Sequence, residues 1–203
     1  MTPLFSAPSS PLDISHLRSL KLEGIWSVSD INGMLNLCSN TLKELDFFPS
    51  LRVPSQRPFV VQTLDFGILL NLNCLIIHTG IHSFRSTSPR ENRNLFRIAS
   101  ALRTLPFNTF HPMQLRLTLK VLFHYLKSFQ IGVSSLPDWS DFTSVLDDNR
   151  MYFANVKIEF QCPKFDRQLG LLDTFRPHLV DIMDKNEVLT KFREEGVLSY
   201  EYF

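Results

Sequence analysis

The chain has 203 residues, of which 44% are hydrophobic and 20% are charged, and its formal net charge is +1. A chain of this length and composition can bury a sizeable core as one domain, which excludes an intrinsically disordered protein. The near-neutral charge gives no overall reason to expect a nucleic-acid or membrane partner, because both favour a concentrated basic field.

The N-terminal residues 1–13 are rich in proline and serine, and we predict a flexible arm there, followed by one domain over 14–203. The chain has neither the order of a signal peptide nor an apolar run of membrane-spanning length. Cys38, Cys74 and Cys162 are odd in number and lie in apolar stretches, so we interpret them as small buried residues rather than a disulfide framework. These features together favour the cytoplasm or the nucleus.

An apolar phrase, L-x-x-L-x-(L/F/I), occurs three times in the first part of the domain. It begins at Leu17, Leu42 and Leu72, so that the two steps are 25 and 30 residues. This is the period range of leucine-rich repeats, in which each unit is a short strand with a helical return. Each such unit can bury its apolar face only against its neighbours.

The phrase predicts strands over 16–22, 41–47 and 72–78. A helix capped by Ser29 is predicted after the first strand, and its apolar face consists of Ile31, Met34, Leu35 and Cys38. Prolines after the second strand predict irregular coil, and the apolar run 64–72 is interpreted as a buried turn rather than an extra strand.

The middle of the chain continues this alternation with longer units. After an exposed loop over 83–94, a helix is predicted. Its apolar face consists of Leu95, Ile98, Ala99, Leu102 and Leu105. Strands follow at 115–119 and 156–160, with a helix over 138–147 between them.

The end of the chain completes about six predicted strand–return units. Pro177 is expected to kink or split a helix over 169–183. Asn186 can start a last helix, which Gly196 ends before a closing strand over 197–202.

The phrases at Leu17–Leu22 and Thr41–Phe47, with Cys38 ahead of the second, resemble intracellular leucine-rich repeats. More narrowly, the order of units resembles the C-terminal part of large fungal families of F-box proteins with divergent leucine-rich repeats. In these, a Trp-containing helix, here 138–147, precedes a strand, and a helix with a Gly-ended turn, here 189–196, precedes the final strand. The resemblance implies an α/β leucine-rich-repeat-like solenoid of about six irregular strand–helix units with a parallel sheet on its concave face.

The resemblance also implies a function, namely the substrate-binding part of an F-box-type ubiquitin ligase receptor. A ligase adaptor would then be a partner only if an F-box lies upstream, and the sequence shows no L-P-x-E-(L/I) segment. A second departure concerns the asparagine that usually follows the third leucine, since Ile25, Ser50 and Gly80 occupy those positions. The asparagine ladder is therefore missing, and the turn backbone must be satisfied in another way.

Motifs for phosphate binding, nucleophilic catalysis and zinc binding are missing from the sequence, so we expect neither an enzyme nor a cofactor. His78 and His82 flank Gly80 at a predicted strand end, where their spacing does not align them on one metal. Asp147 and Asp148 end a predicted helix and are interpreted as a solvated turn.

The expected binding surface is the concave face of the sheet, formed by the residues between and just after the leucines of each phrase. The predicted partner-binding residues are Lys21, Glu23, Glu44, Asp46, Phe48, Ile76, His78, Arg116, Thr118, Lys120, Lys157 and Glu159. Their mixed charge around an apolar centre is typical of a protein-binding face, and the expected partner is an unknown protein or peptide.

Two alternatives stay open. The chain could be a truncated or vestigial structural repeat domain without a dedicated ligand. It could also bind a polyanion weakly through the segment Arg85–Arg103, where Arg85, Arg90, Arg93 and Arg97 cluster. Because Phe96 is the one aromatic residue among these arginines, a solvated loop is favoured there.

Overall fold

The computed structural model describes residues 13–51, 64–82, 93–124, 139–162 and 170–203. They form an α/β fold with one sheet of six strands, β1 (Ser19–Trp26), β2 (Glu44–Leu51), β3 (Cys74–His82), β4 (Leu115–His124), β5 (Phe153–Gln161) and β6 (Leu198–Tyr202). The strands lie side by side in chain order, and all neighbouring pairs are parallel. The predicted α/β class and the six strands are confirmed. Residues 1–12 of the predicted arm and the proline-rich coil after β2 lie outside the described residues.

The helices of the described ranges are α1 (Val28–Cys38), α2 (Arg93–Leu102), α3 (Ser140–Asp148), α4 (Leu171–Lys185) and α5 (Glu187–Glu194). Their buried side chains form one cluster with alternate residues of the strands. The strand members of this cluster include Leu22, Leu45, Phe47, Leu75, Ile77, Leu117, Leu119, Val156, Ile158 and Phe160. The helices therefore cover one face of the sheet, and the intervening strand residues point to the opposite face, which we call the open face.

The strands begin later than the phrase predicts, because the first leucine of each phrase lies in the turn before its strand. Leu42 and Leu72 are fully buried in these turns, and Leu17 packs against the same core. The strands also run on beyond the phrase, to Trp26, Leu51 and His82. The leucine phrase thus predicts which side chains are buried in the core, but it does not predict the residue at which hydrogen bonding between strands begins.

One predicted helix feature needs correction. The cap of α1 is Ser27, not Ser29, and its side chain accepts a hydrogen bond from the Asp30 amide. Of the two outcomes expected at Pro177, a split does not occur, because α4 continues through the proline, and a kink stays a prediction. Since Leu179 and Met183 beyond the proline are buried, their packing offsets the backbone hydrogen bond that proline cannot donate.

Other predictions near helix ends are confirmed. Asn186 caps α5 by accepting from the Leu189 amide, and Gly196 follows the helix with a positive φ of 71°. The run 64–72 forms turns rather than a strand, as expected. The core-facing residues predicted for α1 and α2 are all buried.

Side chains at the amino ends of the strands satisfy the turn backbone. The Thr41 hydroxyl lies 2.7 Å from the Ser15 carbonyl oxygen and 2.9 Å from that of Leu17. Asn71 donates to the Asn40 carbonyl at 2.8 Å, and Gln114 donates to that of Leu72 at 3.1 Å. Each bond joins one turn to the turn before it. We call these three side chains the turn ladder; it lies at the amino ends of the strands rather than after the strands, where the missing asparagines were expected.

The pairing between β2 and β3 is short. Four residue pairs join them, from Glu44–Cys74 to Phe47–Ile77, whereas eight join β1 to β2 and nine join β3 to β4. The two strands therefore stop pairing just before Phe48 and His78, which lie on the open face.

Candidate functional site

The structure places all twelve residues of the predicted binding surface on the open face. The registers align them in rows across the strands: Asp46, Ile76 and Thr118 share one row with Lys21 and Lys157. A second row contains Glu44 on β2 and Arg116 on β4. Whether these residues bind a partner stays a prediction, but their common face follows from the strand registers.

The centre of the open face is built from Asp46, Phe48 and His78. The Asp46 Oδ1 atom lies 2.8 Å from the His78 Nε2 atom. Because a carboxylate can only accept, His78 donates through Nε2. The Phe48 ring meets the His78 ring edge-on at 4.8 Å between centroids, and 39% of Phe48 is exposed. An exposed aromatic held by its neighbours suits an anchor for a partner protein.

Burial sets the charge of His78. It lowers the pKa of His78, and this effect exceeds the opposing influence of the Asp46 carboxylate, which raises it. His78 is therefore neutral at neutral pH. The centre of the face thus carries the single negative charge of Asp46 beside two rings.

The carboxylate of Glu159 is the deepest charged group of the open face, with 9% of the residue exposed. Lys157 lies 3.1 Å from it and also reaches Glu201 on β6 at 2.8 Å. Lys120 approaches Glu159 to 3.9 Å, and Gln161 donates to it at 3.2 Å. Hydrogen bonds to Glu201 and Glu159 raise the pKa of Lys157. These contacts pair and hydrogen-bond the buried Glu159 carboxylate, and a buried charge is costly without such partners.

The remaining charges of the face are more exposed. Lys21 pairs with Glu23 at 2.6 Å, and both side chains are 58% exposed. Glu44 and Arg116 are also exposed, and neither takes part in the ion pairs found among the described residues. These two side chains are thus available to a partner.

Cys74 is a residue of the open face that the sequence interpretation missed. It was expected to be a buried apolar residue, yet it is partly exposed and lies between Glu44 and Arg116 in their row. Its position two residues before Ile76 was the available signal, because residues two apart on a strand share a face. Burial raises the pKa of the Cys74 thiol, so the thiol stays protonated at neutral pH. Cys38 and Cys162 are buried as predicted.

The sequence singled out three other features as candidate sites: a histidine pair, an aspartate pair and an arginine-rich segment. The described part of the structure supports none of them as a binding or metal site. Within the described residues, no group of three His, Cys, Asp or Glu side chains comes together. Asp147 and Asp148 are exposed at the end of α3 and border a polar surface groove with Lys185 and Glu187. Residues 85–92 of the polyanion segment lie outside the described residues, and its Arg103 pairs with Asp141 of α3 at 3.1 Å.

No helix in the described part of the chain is long and apolar enough to cross a membrane. Comparisons with protein-family models, with curated proteins and with solved structures find no match to this chain.

Proposed function

We propose that the chain is a non-catalytic protein-recognition scaffold, a leucine-rich-repeat-like solenoid whose open face binds another protein or peptide. The observation that carries this proposal is the open face itself, where exposed Phe48 is held against His78 among charges of both signs. An apolar anchor inside a mixed polar rim is how protein interfaces are usually built.

The layout of the fold supports a binding role for this face. The helices pack against one side of the sheet and form the core there. The side chains on the other side of the sheet are therefore not needed to form this core. Ile76 and Thr118 nevertheless stay only half-buried there, in the same row as Asp46. Together with the exposed ring of Phe48, Ile76 gives this face an apolar centre, which suits a protein-binding surface.

The resemblance to F-box proteins with divergent repeats adds a narrower proposal. In this version, the open face selects the substrate of a ubiquitin ligase, and a separate F-box recruits the ligase adaptor. The order of strands and helices supports the repeat-like part of this proposal, since every strand pairs with the next one along the chain.

The test is capture of partners from the native cell extract with C-terminally tagged protein. A face variant, Phe48→Ala with Arg116→Glu, is compared with wild type. A matched control, Phe96→Ala with Lys191→Glu, makes the same changes at an exposed helical phenylalanine and lysine away from the open face. We expect a protein that wild type and control capture equally and that the face variant loses about tenfold or more.

Co-recovery of a ligase adaptor and a cullin would assign the narrower role. If no captured protein distinguishes the face variant from the control, the recognition proposal is wrong, and a structural domain without a dedicated ligand is the better description.

A further inference from the structure

Two exposed methionines are hydrogen-bonded through their backbones at the amino ends of β4 and β5. Met113 lies in the turn before β4, and Met151 lies in the 3-10 turn before β5. They are 53% and 56% exposed, and the Met113 amide donates to the Met151 carbonyl oxygen at 2.8 Å. Their side chains therefore start from adjoining backbone, at the ends of the strands rather than on the open face.

The backbone of Met113 adopts a conformation that its residue type disfavours. Its φ is 58°, and among the described residues it is the one residue other than glycine with a positive φ. A Cβ atom is crowded in this left-handed region, and methionine is not among the residue types enriched there. Such a conformation is kept only where the surroundings hold it, and it is found most often at functional sites. The backbone of Met113 therefore points to a site in this turn.

His111 adds an imidazole to the same turn. It is exposed and lies two residues before Met113, so the two Cα atoms are at most about 7 Å apart. The His111 amide donates to the Gln114 Oε1 atom at 2.9 Å, and the Gln114 Nε2 atom donates to the Leu72 carbonyl at 3.1 Å. Gln114 thus holds the turn to the one before it, and Met151 holds it to the one after. The three side chains project from a fixed backbone.

These three side chains form a soft, uncharged set of metal ligands. Thioether sulfur selects Cu(I), and imidazole nitrogen also suits copper. Methionine is unbranched with three rotatable bonds, so two methionines that start side by side can bring their sulfur atoms to one point. Arg150, beside Met151, is paired with Glu195, so its positive charge is neutralised. Hard cations such as Mg²⁺ and Ca²⁺ prefer oxygen ligands, which this set lacks.

We propose that Met113, Met151 and His111 bind one Cu(I) ion, and we call these residues the methionine site. The observation that carries this proposal is a methionine in a disfavoured conformation, joined to a second exposed methionine, with an exposed histidine two residues away. The methionine site lies in the turns, whereas the proposed recognition surface lies on the open face. This inference therefore goes beyond the proposed function and does not depend on it.

The methionine methyl signals in NMR spectra of the full chain test the site directly. The probe is Ag(I) in chloride-free buffer, because it shares the charge and the soft character of Cu(I) and is not oxidised by air. The signals of Met113 and Met151 should shift together and saturate at one Ag(I) per chain. The buried Met34 and Met183 should keep their signals, which also shows that the core stays folded. Cu(I), added without oxygen, should produce the same two shifts.

The cysteines require a control, since thiolate sulfur also binds soft cations. Cys74 is partly exposed, whereas Cys38 and Cys162 are buried. The titration is therefore made with Cys74→Ser, which removes the competing exposed thiol.

Single substitutions in the same background identify the ligands. Met113→Leu and Met151→Leu keep the size of the side chain and remove its sulfur, and His111→Gln removes the imidazole. Each should weaken Ag(I) binding about tenfold or more, because a group that merely orients a metal ligand is already worth about 10–100-fold in affinity. The matched controls are Met183→Leu in the core and His16→Gln at the exposed turn before β1, and both should bind Ag(I) like the parent.

The methionine site is overturned if neither methyl signal moves at a several-fold excess of Ag(I). It is also overturned if the two signals saturate at different Ag(I) concentrations, since this describes two separate thioethers. Leucine variants that bind as tightly as the controls, or a titration with Cu(I) that shifts neither signal, exclude it as well. Partner capture through Phe48 and Arg116 is measured separately, so this proposal and the recognition proposal can fail independently.

Discussion

His78 shows how a single residue of the open face responds to its surroundings. It lies half-buried between Asp46 and Phe48, and burial lowers its pKa below the ordinary value of 6.5. The unfolded chain takes up this proton near pH 6.5, whereas the folded chain resists it to a lower pH. The unfolded state thus binds more protons in this window, and the free energy of unfolding falls as the pH is lowered.

We predict that His78→Gln removes this pH dependence. Urea denaturation between about pH 7.5 and pH 5.5 should show that wild type loses stability relative to the variant, with a slope of at most about 1.4 kcal/mol per pH unit for one proton. His111→Gln, at an exposed turn, controls for the loss of a histidine. Parallel curves for wild type and His78→Gln would show that the burial of His78 does not govern its proton.

Alternation along the strands was sufficient to predict which side chains share the open face, because the period of two is a property of any strand. It could not predict the burial of Glu159, since that depends on Lys157 and Gln161 around it. Nor could it give the exposure of Cys74, whose residue type is usually buried. Residue type and spacing define a face, but the burial of each member depends on its neighbours across the strands.

Among the elements, the turns before the strands contribute hydrogen bonds that the leucine phrase does not predict. The turn ladder joins successive turns through Thr41, Asn71 and Gln114, and it does so at the amino ends of the strands. These polar side chains are not part of the leucine phrase, so the phrase could not predict them.

We predict that Thr41→Val lowers the free energy of unfolding by about 1 kcal/mol, because valine keeps the shape of threonine but removes the donor to the carbonyl oxygens of Ser15 and Leu17, of which the second is partly buried. Equilibrium urea unfolding measures the change. In the control Thr109→Val, the lost hydroxyl bonds only within its own exposed turn, and the effect should stay within about 0.5 kcal/mol. Equal losses in both variants would mean that the turn ladder adds nothing beyond a local bond.

The first and last residues of the helices and strands were the part of the fold that the sequence predicted least well. Ser27 and Ser29 are both good caps, and only the path of the chain after β1 decides that Ser27 takes this role. Likewise, Pro177 lowers the propensity of α4, yet burial of Leu179 and Met183 keeps the helix whole. In both cases packing decided between local options that the sequence left nearly equal.

For the whole molecule, the order of strands follows directly from the sequence pattern, whereas the way the units are joined does not. Aromatic side chains connect neighbouring units across the core: Phe107 contacts Phe110, Tyr152 and Phe153. Trp139, the residue before α3, meets Phe160 on β5 in the same way. The rings of Phe107, Phe110, Phe153 and Phe160 thus belong to one continuous core.

We predict that Phe153→Ala lowers the free energy of unfolding by about 3–5 kcal/mol, since this ring is fully buried and its loss leaves a cavity between units. Urea unfolding is followed by circular dichroism and by tryptophan fluorescence. Because the core is continuous, both signals should shift together. Phe96→Ala, at a side chain 46% exposed, should change the stability by no more than about 0.5 kcal/mol. Separate transitions for the two signals would contradict a single cooperative core.

The short pairing between β2 and β3 has a mechanical consequence. Because each strand pairs only with its neighbours in the chain, a pulling force between the two ends of the sheet acts on every strand pair in turn. The sheet should therefore separate first at the strand pair with the fewest paired residues. Four residue pairs join β2 to β3, against nine at the next junction. Under tension between Asp13 and Phe203, β1, α1 and β2 should therefore come away as one piece while β3, β4 and β5 hold together.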